Sequence, residues 1–283
     1  MIAWIGGLAL AGPWTRSAGE YYAKLAVDAY SAPEYRSPVT ALPGVTESGT
    51  TGFRGEQFSA WVEFGALPEG AWRAQLALSV PVTAGHTEFD FDNGFGRVRG
   101  HTTVVRVGDV RLVPQVALHP TAPIAAALEL KVPAYRNDSV CRDSPYRIYC
   151  PRPGDGQIDL TPSVLAGVSN PHGFAEFSAG WRIRTDWVLG AEGPPRPLGD
   201  GPAFAAAGGG HLSSLLLIAR VEGNLVLNPD DAITPQAVRL GPAALWTVHE
   251  ATGTALEARF MADLWSKGTA RGVGGGVGVS ARR

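Results

Sequence analysis

The chain reads as all-β, an antiparallel transmembrane β-barrel of about twelve strands, and three observations point there. Apolar and polar residues alternate with period two in segment after segment, the signature of strands with one apolar and one polar face. With 36 Gly, 22 Pro and only 18% charged residues in 283, the composition suits turns and strands better than helices. Tight turns also alternate with longer polar loops, as in a barrel whose two ends differ.

Taken in order, the first strand sets Tyr21, Ala23, Leu25, Val27 and Ala29 against Tyr22, Lys24, Ala26, Asp28 and Tyr30. The second sets Phe58, Ala60, Val62 and Phe64 against Gln57, Ser59, Trp61 and Glu63. After the turn LPEG, the third sets Trp72, Ala74, Leu76, Leu78 and Val80 against Arg73, Gln75, Ala77 and Ser79. Val110, Leu112, Val116 and Leu118 then oppose Asp109, Arg111 and Gln115, and HPTAP leads into a strand with Glu129 and Lys131 on its polar side. Ile158, Leu160, Val164, Ala166 and Val168 oppose Gln157, Asp159, Thr161 and Ser163; Phe177, Ala179, Trp181 and Ile183 oppose Glu176, Ser178, Arg182 and Arg184. DGPAFAAAGGG is the weakest strand pattern. It is followed by Leu215, Leu217, Ala219 and Val221 opposite Arg220, Glu222 and Asn224, and the segments QAVRLGPAALWTV, TALEARFMADLW and GVGGGVGVSA complete the series. The turns LPEG, HPTAP, NPHG, GGHLS and EATG interleave with long loops near residues 31–52, 83–107, 136–154, 188–200 and 228–235.

A soluble sandwich alternates too, with its apolar faces turned to a shared core. The polar faces favour the barrel: Glu129 with Lys131, Glu176 with Arg182 and Arg184, Arg220 with Glu222, and Glu257 with Arg259 suit a compensated network in a confined, wet lumen. Tyr21, Tyr30, Trp72, Tyr135, Trp187, Trp246 and Trp265 lie near strand ends, where an interfacial girdle would sit. Pro114, Pro162 and Pro242 fall inside strands on the apolar side, each removing a ladder donor, and are expected to mark bulges or the start of pairing.

The N-terminus, MIAWIGGLALAGPW, carries an apolar run ending in Ala-Leu-Ala before Gly12, so residues 1–11 read as an export signal and 12–283 as the barrel, although no Lys or Arg precedes the run. The two cysteines, Cys141 and Cys150, lie in one polar segment without a nearby His, which suits a disulfide-closed loop in an oxidising compartment; two free thiols are the alternative. With 24 Lys plus Arg against 26 Asp plus Glu, no basic footprint for nucleic acid is present.

The chain resembles the outer-membrane barrels of the MetA-pathway of phenol degradation family. The resemblance rests on Gly-Pro-Trp-Thr followed by YYAKLAVDAYSA, on GDVRLVPQVAL, on LELKVPAY before a long loop, on GDGQIDL, on RLGPAALW, and on LWSKGTARGVGGGVGVS as the last hairpin. It spans residues 12–283. It implies an exported barrel in the outer membrane of a Gram-negative bacterium, contacting lipid and passing small, often hydrophobic compounds, with no established catalytic set. The chain departs from that pattern in its Cys-bearing loop, in its Pro-rich 188–202 region and at its end, VGVSARR, which lacks the terminal aromatic usual in such barrels.

An enzyme is not expected. His119, His172, His211 and His249 fall in short turns, His86 and His101 in one long loop, and no Ser sits in a G-x-S-x-G motif. FDFDNGFG offers Asp90, Asp92 and Asn93 as oxygen ligands but lacks the rest of a calcium loop. Neither cofactor nor metal is expected, and the glycines at Gly272, Gly274, Gly276 and Gly278 read as room in the lumen or a bend. The expectation is a monomeric barrel passing a small, hydrophobic or aromatic solute along a path lined by Arg73, Arg111, Lys131, Asp159, Arg182, Arg184, Arg220, Glu222, Arg239, Glu257 and Arg259, with weak ion selectivity. The alternatives are a closed barrel acting as a structural or adhesion platform through its loops, and an exported soluble β-sandwich that binds ligand.

Overall fold

The computed structural model describes residues 12–33, 50–67, 73–92, 97–135, 154, 156–188, 199–227, 236–267 and 271–283. Fourteen β-segments follow one another: β1 (Tyr21–Ala32), β2 (Thr50–Gly65), β3 (Ala74–Asp92), β4 (Arg97–Val107), β5 (Asp109–Ala117), β6 (Ile124–Pro133) and β7 (Gln157–Asn170). They continue as β8 (Gly173–Val188), β9 (Gly201–Leu212), β10 (Leu215–Asn224), β11 (Gln236–Leu240), β12 (Ala243–His249), β13 (Thr254–Lys267) and β14 (Val273–Arg282). Two staves of the barrel are each built from two segments. β4 and β5 both pair with β3 on either side of Gly108, and β11 and β12 both bridge β10 and β13 on either side of Gly241 and Pro242. Fourteen segments therefore make twelve antiparallel staves, each beside its neighbour in sequence, and β14 closes on β1 from Tyr22↔Arg282 to Ser31↔Val273. Closure pairs the backbone groups that an open sheet would leave at its edges.

The polarity of this sheet is the reverse of a sandwich. Asp159 and Lys131 are 2% and 6% exposed on the inside, while Val164 and Val277 are 53% and 63% exposed on the outside. The same parity runs round the barrel, with Asp28, Glu63, Gln75, Gln115, Glu257 and Asp263 buried inward and Leu25, Phe58, Val62, Leu78, Phe177 and Leu256 exposed outward. In water such an exterior would be a continuous apolar patch; only hydrocarbon makes it a stable surface.

The start of β1 and the residue after β14 meet at the short-turn end, where Tyr21 and Arg283 exchange backbone hydrogen bonds. The turns after β2, β5, β7, β9 and β12 lie at that end, and the longer connections at the other. Of residues 83–107, expected as a long loop, 83–92 and 97–107 are instead strand. The upper halves of β2 and β3 continue with β4 as a three-stranded blade beyond Asp109↔Pro133, the last pair of β5 with β6. On the blade's outer face the residue type changes along the register: Phe58, Val82 and Val107 form one row, whereas Arg54, His86 and Thr103 form a row higher up. That change from apolar to polar marks where an apolar surroundings would end. His86 and His101 accordingly sit on strands, with His86 Nε2 3.0 Å from Glu56 and Nδ1 2.9 Å from Thr103.

Pro114 and Pro162 do less than expected, whereas Pro242 stands directly before the start of β12. Pro114 and Pro162 interrupt one ladder each, towards β6 and β8, and Pro242 separates β11 from β12, all without a register shift. Pro114 and Pro162 each leave the other ladder paired, to Leu76 of β3 and Leu128 of β6, whereas Pro242 falls in neither ladder. The weakest strand pattern, 201–212, forms β9 with a full register to β8 and β10.

Candidate functional site

The inward side chains form cross-strand ion pairs, because a buried charge without a partner costs several kcal/mol. Lys131 Nζ lies 2.8 Å from Asp159 and 3.7 Å from Asp109, linking β5, β6 and β7. Tyr135 donates to Asp109 at 2.9 Å and accepts from the Gly156 backbone at 3.0 Å, so this tyrosine is inside the barrel and not part of a girdle. Arg111 lies 3.6 Å from Glu129. Across the closing seam, Lys24 meets Glu257 at 2.5 Å and Arg259 reaches Asp28 over the intervening β14. Gly276 is registered between Arg259 and Asp28, and a Cβ there would come within 2.1 Å of Asp28 Oδ1. The glycine is what lets the pair form.

Higher up, Tyr30 donates to Asp263 at 2.5 Å and Arg239 donates to the same carboxylate at 2.9 Å. Tyr30 also turns inward, contrary to its expected girdle role, because it shares the parity of Lys24 and Asp28. Tyr21, Trp246 and Trp265 do face outward; Trp72 and the side chain of Trp187 lie outside the described residues.

A cavity of about 660 Å³ fills part of the lumen. Of the residues expected along a path, Arg111, Arg220, Glu222, Arg239, Glu257 and Arg259 line it, joined by Lys24, Asp28, Glu63 and Asp109. Arg220 Nε lies 3.1 Å from Glu222, close enough for charge attraction but misaligned for a hydrogen bond. Lys131, Asp159, Arg182 and Arg184 are inward on β6, β7 and β8 but away from the cavity wall, with Lys131 and Asp159 locked together. Arg73 stands apart, exposed at the short-turn end just before β3. Cys141 and Cys150 lie outside the described residues.

Alternation gave no hint of the structure that bounds this cavity. Residues Gly12 to Glu20, which precede β1, run inside the barrel as a crossbar. At one end Gly19, with φ of 82°, turns the chain into β1, and Ala18 bridges Gly65, where a Cβ would lie 1.8 Å from the Ser17 carbonyl oxygen. Arg16 Nε then donates to Glu63 at 2.8 Å, and its backbone amide donates to Gln75 at 2.8 Å. Gln115 donates to the Gly12 carbonyl at 3.0 Å, Trp14 packs edge-on to Phe174 at 6.1 Å, and Pro13 sits on Gly167. The crossbar thus leaves the first stave and reaches β7 and β8, the sixth and seventh of twelve, on the opposite wall. Twelve strands spaced ~4.8 Å and tilted ~40° give a barrel about 24 Å across, within reach of nine extended residues at roughly 3.3 Å each. Gly12, Trp14 and Arg16 bound the cavity at the short-turn end; at the other it reaches Met261, which packs on the cluster of Tyr30, Ala32 and Phe53.

The histidines of the short turns do turn chemistry. His119 Nδ1 accepts from the Ala122 amide at 2.8 Å, and His249 Nδ1 lies 2.9 Å from Thr252 Oγ1. Among the described residues no three His, Cys, Asp or Glu side chains are grouped to hold a metal. Asp90 instead pairs with Arg97 and Arg99 at 2.8 Å each; the side chain of Asp92 and the whole of Asn93 lie outside the described residues.

No family model and no curated protein matches the sequence. Among solved structures the chain is similar to the COG4313 outer membrane channel from Pseudomonas putida F1, at a TM-score of 0.65 and 9% identity over 95% of this chain and 97% of that one. It is also similar to a Pseudomonas aeruginosa FadL homologue, at a TM-score of 0.44 and 9% identity over 93% and 90% of the two chains. At these identities the likeness to the first concerns the fold.

Proposed function

We propose that the protein is an outer-membrane channel of a Gram-negative bacterium that passes a small solute through its lumen. The observation that carries this reading is a closed twelve-stave barrel with an apolar exterior around a cavity of about 660 Å³ whose wall mixes charged, polar and apolar side chains. The shared fold with a Pseudomonas putida outer membrane channel supports it. Outer-membrane lipid is the proposed surrounding. Cationic and anionic side chains are interleaved along the cavity wall, so the reading carries weak ion selectivity, and Trp14, Tyr22 and Trp61 add aromatic surface for a hydrophobic or aromatic solute. No catalytic role is proposed.

The crossbar favours a second reading, a closed barrel that serves as a platform, since it spans the short-turn mouth. Two measurements separate the readings. Detergent-solubilised protein should run faster on a gel unheated than boiled, as a closed barrel resists unfolding; extraction from membranes by salt alone would reject membrane residence. Purified protein in a planar bilayer should give discrete conductance steps with weak charge preference. Silence both with the whole chain and with residues 12–18 deleted would reject the channel and leave the platform.

A further inference from the structure

Glu176 lies inward on β8, half-buried, and among the described residues it forms neither a hydrogen bond nor an ion pair. Its Oε2 points at Gly12, lying 2.5 Å from where a Cβ on Gly12 would be. Among the described residues the inward acids of β1, β2, β5–β7 and β13 are paired with cations, as Asp28, Glu63, Asp109, Glu129, Asp159 and Glu257 show. Gly12 follows directly on the Ala-Leu-Ala that ends the apolar run.

We propose that the chain is cut between Ala11 and Gly12, and that the α-ammonium so created is the counter-ion of Glu176, latching the far end of the crossbar to the opposite wall. The cut is a hydrolysis by a membrane-bound signal peptidase acting before the barrel folds. Water adds across the amide, leaving a carboxylate on Ala11 and an ammonium on Gly12. An uncut chain offers Glu176 only a neutral peptide group at Gly12, leaving the longer-range attraction of Arg220, two staves away across Ala207, as its compensation. The cut puts the charge on the residue that the carboxylate faces, and charge-assisted N–H···O⁻ bonds are the stronger kind. The crossbar is then tied covalently at β1 and ionically at β8. Its far end is the releasable one. The latch rests on the reading of an exported barrel but not on conduction.

The test uses the full chain, exported in a Gram-negative host and recovered from the outer-membrane fraction. Intact-mass measurement should give a protein beginning at Gly12; a chain retaining residues 1–11, or beginning elsewhere, overturns the proposal. An amine-reactive ester then reads the latch, and with only three lysines in the sequence the α-amine is easily mapped. Labelling of Gly12 should be slow in the folded wild type and about tenfold faster in Glu176→Gln, a factor equivalent to ~1.4 kcal/mol. Glu176→Asp should stay slow. Equal labelling of folded and urea-unfolded wild type overturns the latch even if Glu176→Gln does not assemble. A barrel latched but silent in bilayers rejects the channel reading alone, and a conducting barrel with a freely labelled Gly12 rejects the latch alone.

Discussion

Gly276 shows how one missing side chain organises an ion pair. Arg259 on β13 and Asp28 on β1 are two staves apart, and the guanidinium reaches the carboxylate only because β14 carries no Cβ between them. Gly276→Ala should therefore destabilise the barrel by roughly 1–3 kcal/mol, the usual cost of forcing atoms into a filled interior. Gly208, whose nearest foreign atom would stand 3.5 Å from an added Cβ, is the control, and Gly208→Ala should be neutral or slightly stabilising. Urea unfolding of both variants in lipid vesicles, followed by the heat-sensitive gel shift, measures the difference. Tyr30 and Tyr135 teach the complementary lesson. Their place near strand ends suggested a girdle, but Tyr30 carries the parity of Asp28, and parity decided its direction. Tyr135 stands two residues beyond the end of β6, in step with the inward Glu129 and Lys131, and its donation to Asp109 holds it there.

Elements were legible wherever lipid and lumen impose opposite demands on the two faces of a strand. The order of strands and turns around the barrel follows from alternation, and so does the split of short and long connections. The blade was not legible, because beyond the apolar belt the polarity of the two faces changes over: His86, Glu88 and Asp90 share the outward face, paired across to Thr103, His101 and Arg99, while Phe89 is buried on the inward one. Period two persists there, but with the polar residues outward it no longer carries the sign of a lipid-facing strand. The crossbar has no period at all; only its contacts with Gln75, Glu63 and Gln115 reveal it. At the blade's tip the guanidinium of Arg97, with that of Arg99, holds the Asp90 carboxyl below the usual aspartate range. A depressed carboxylate contributes order that is complete above its unfolded pKa near ~4 and is lost as pH falls through the lower folded value. Amide protection factors along 86–103 should stay level from neutral pH to about 5 and fall below ~4, modestly, since exposed pairs contribute little. Asp90→Asn should remove the pH dependence; a wild-type profile flat to pH 2 would show that the pair does not order the tip.

At the scale of the whole molecule, the inverted polarity makes a demand that no water-soluble fold shares. Val277 is 63% exposed and sits midway along β14, flanked in register by Val27 and Ala258 on the same outward face. In a soluble protein, placing Arg at so exposed a strand position would change stability by about 0.5 kcal/mol or less. In a bilayer the guanidinium must be carried into hydrocarbon, so Val277→Arg should cost about 2–4 kcal/mol, falling towards zero for the same change at Val273 nearer the rim. The inward side predicts the opposite sensitivity. Thr83→Arg on the cavity wall should leave membrane assembly intact and change only the conductance or its ion preference, because that side chain meets other polar groups and never the lipid. Reversible unfolding from vesicles, with the three variants side by side, gives the depth profile. A flat response across Val277 and Val273 would mean that the exterior is covered by something other than a bilayer. A steep one would fix the mid-plane of the membrane near Val277 and place the charged blade above it.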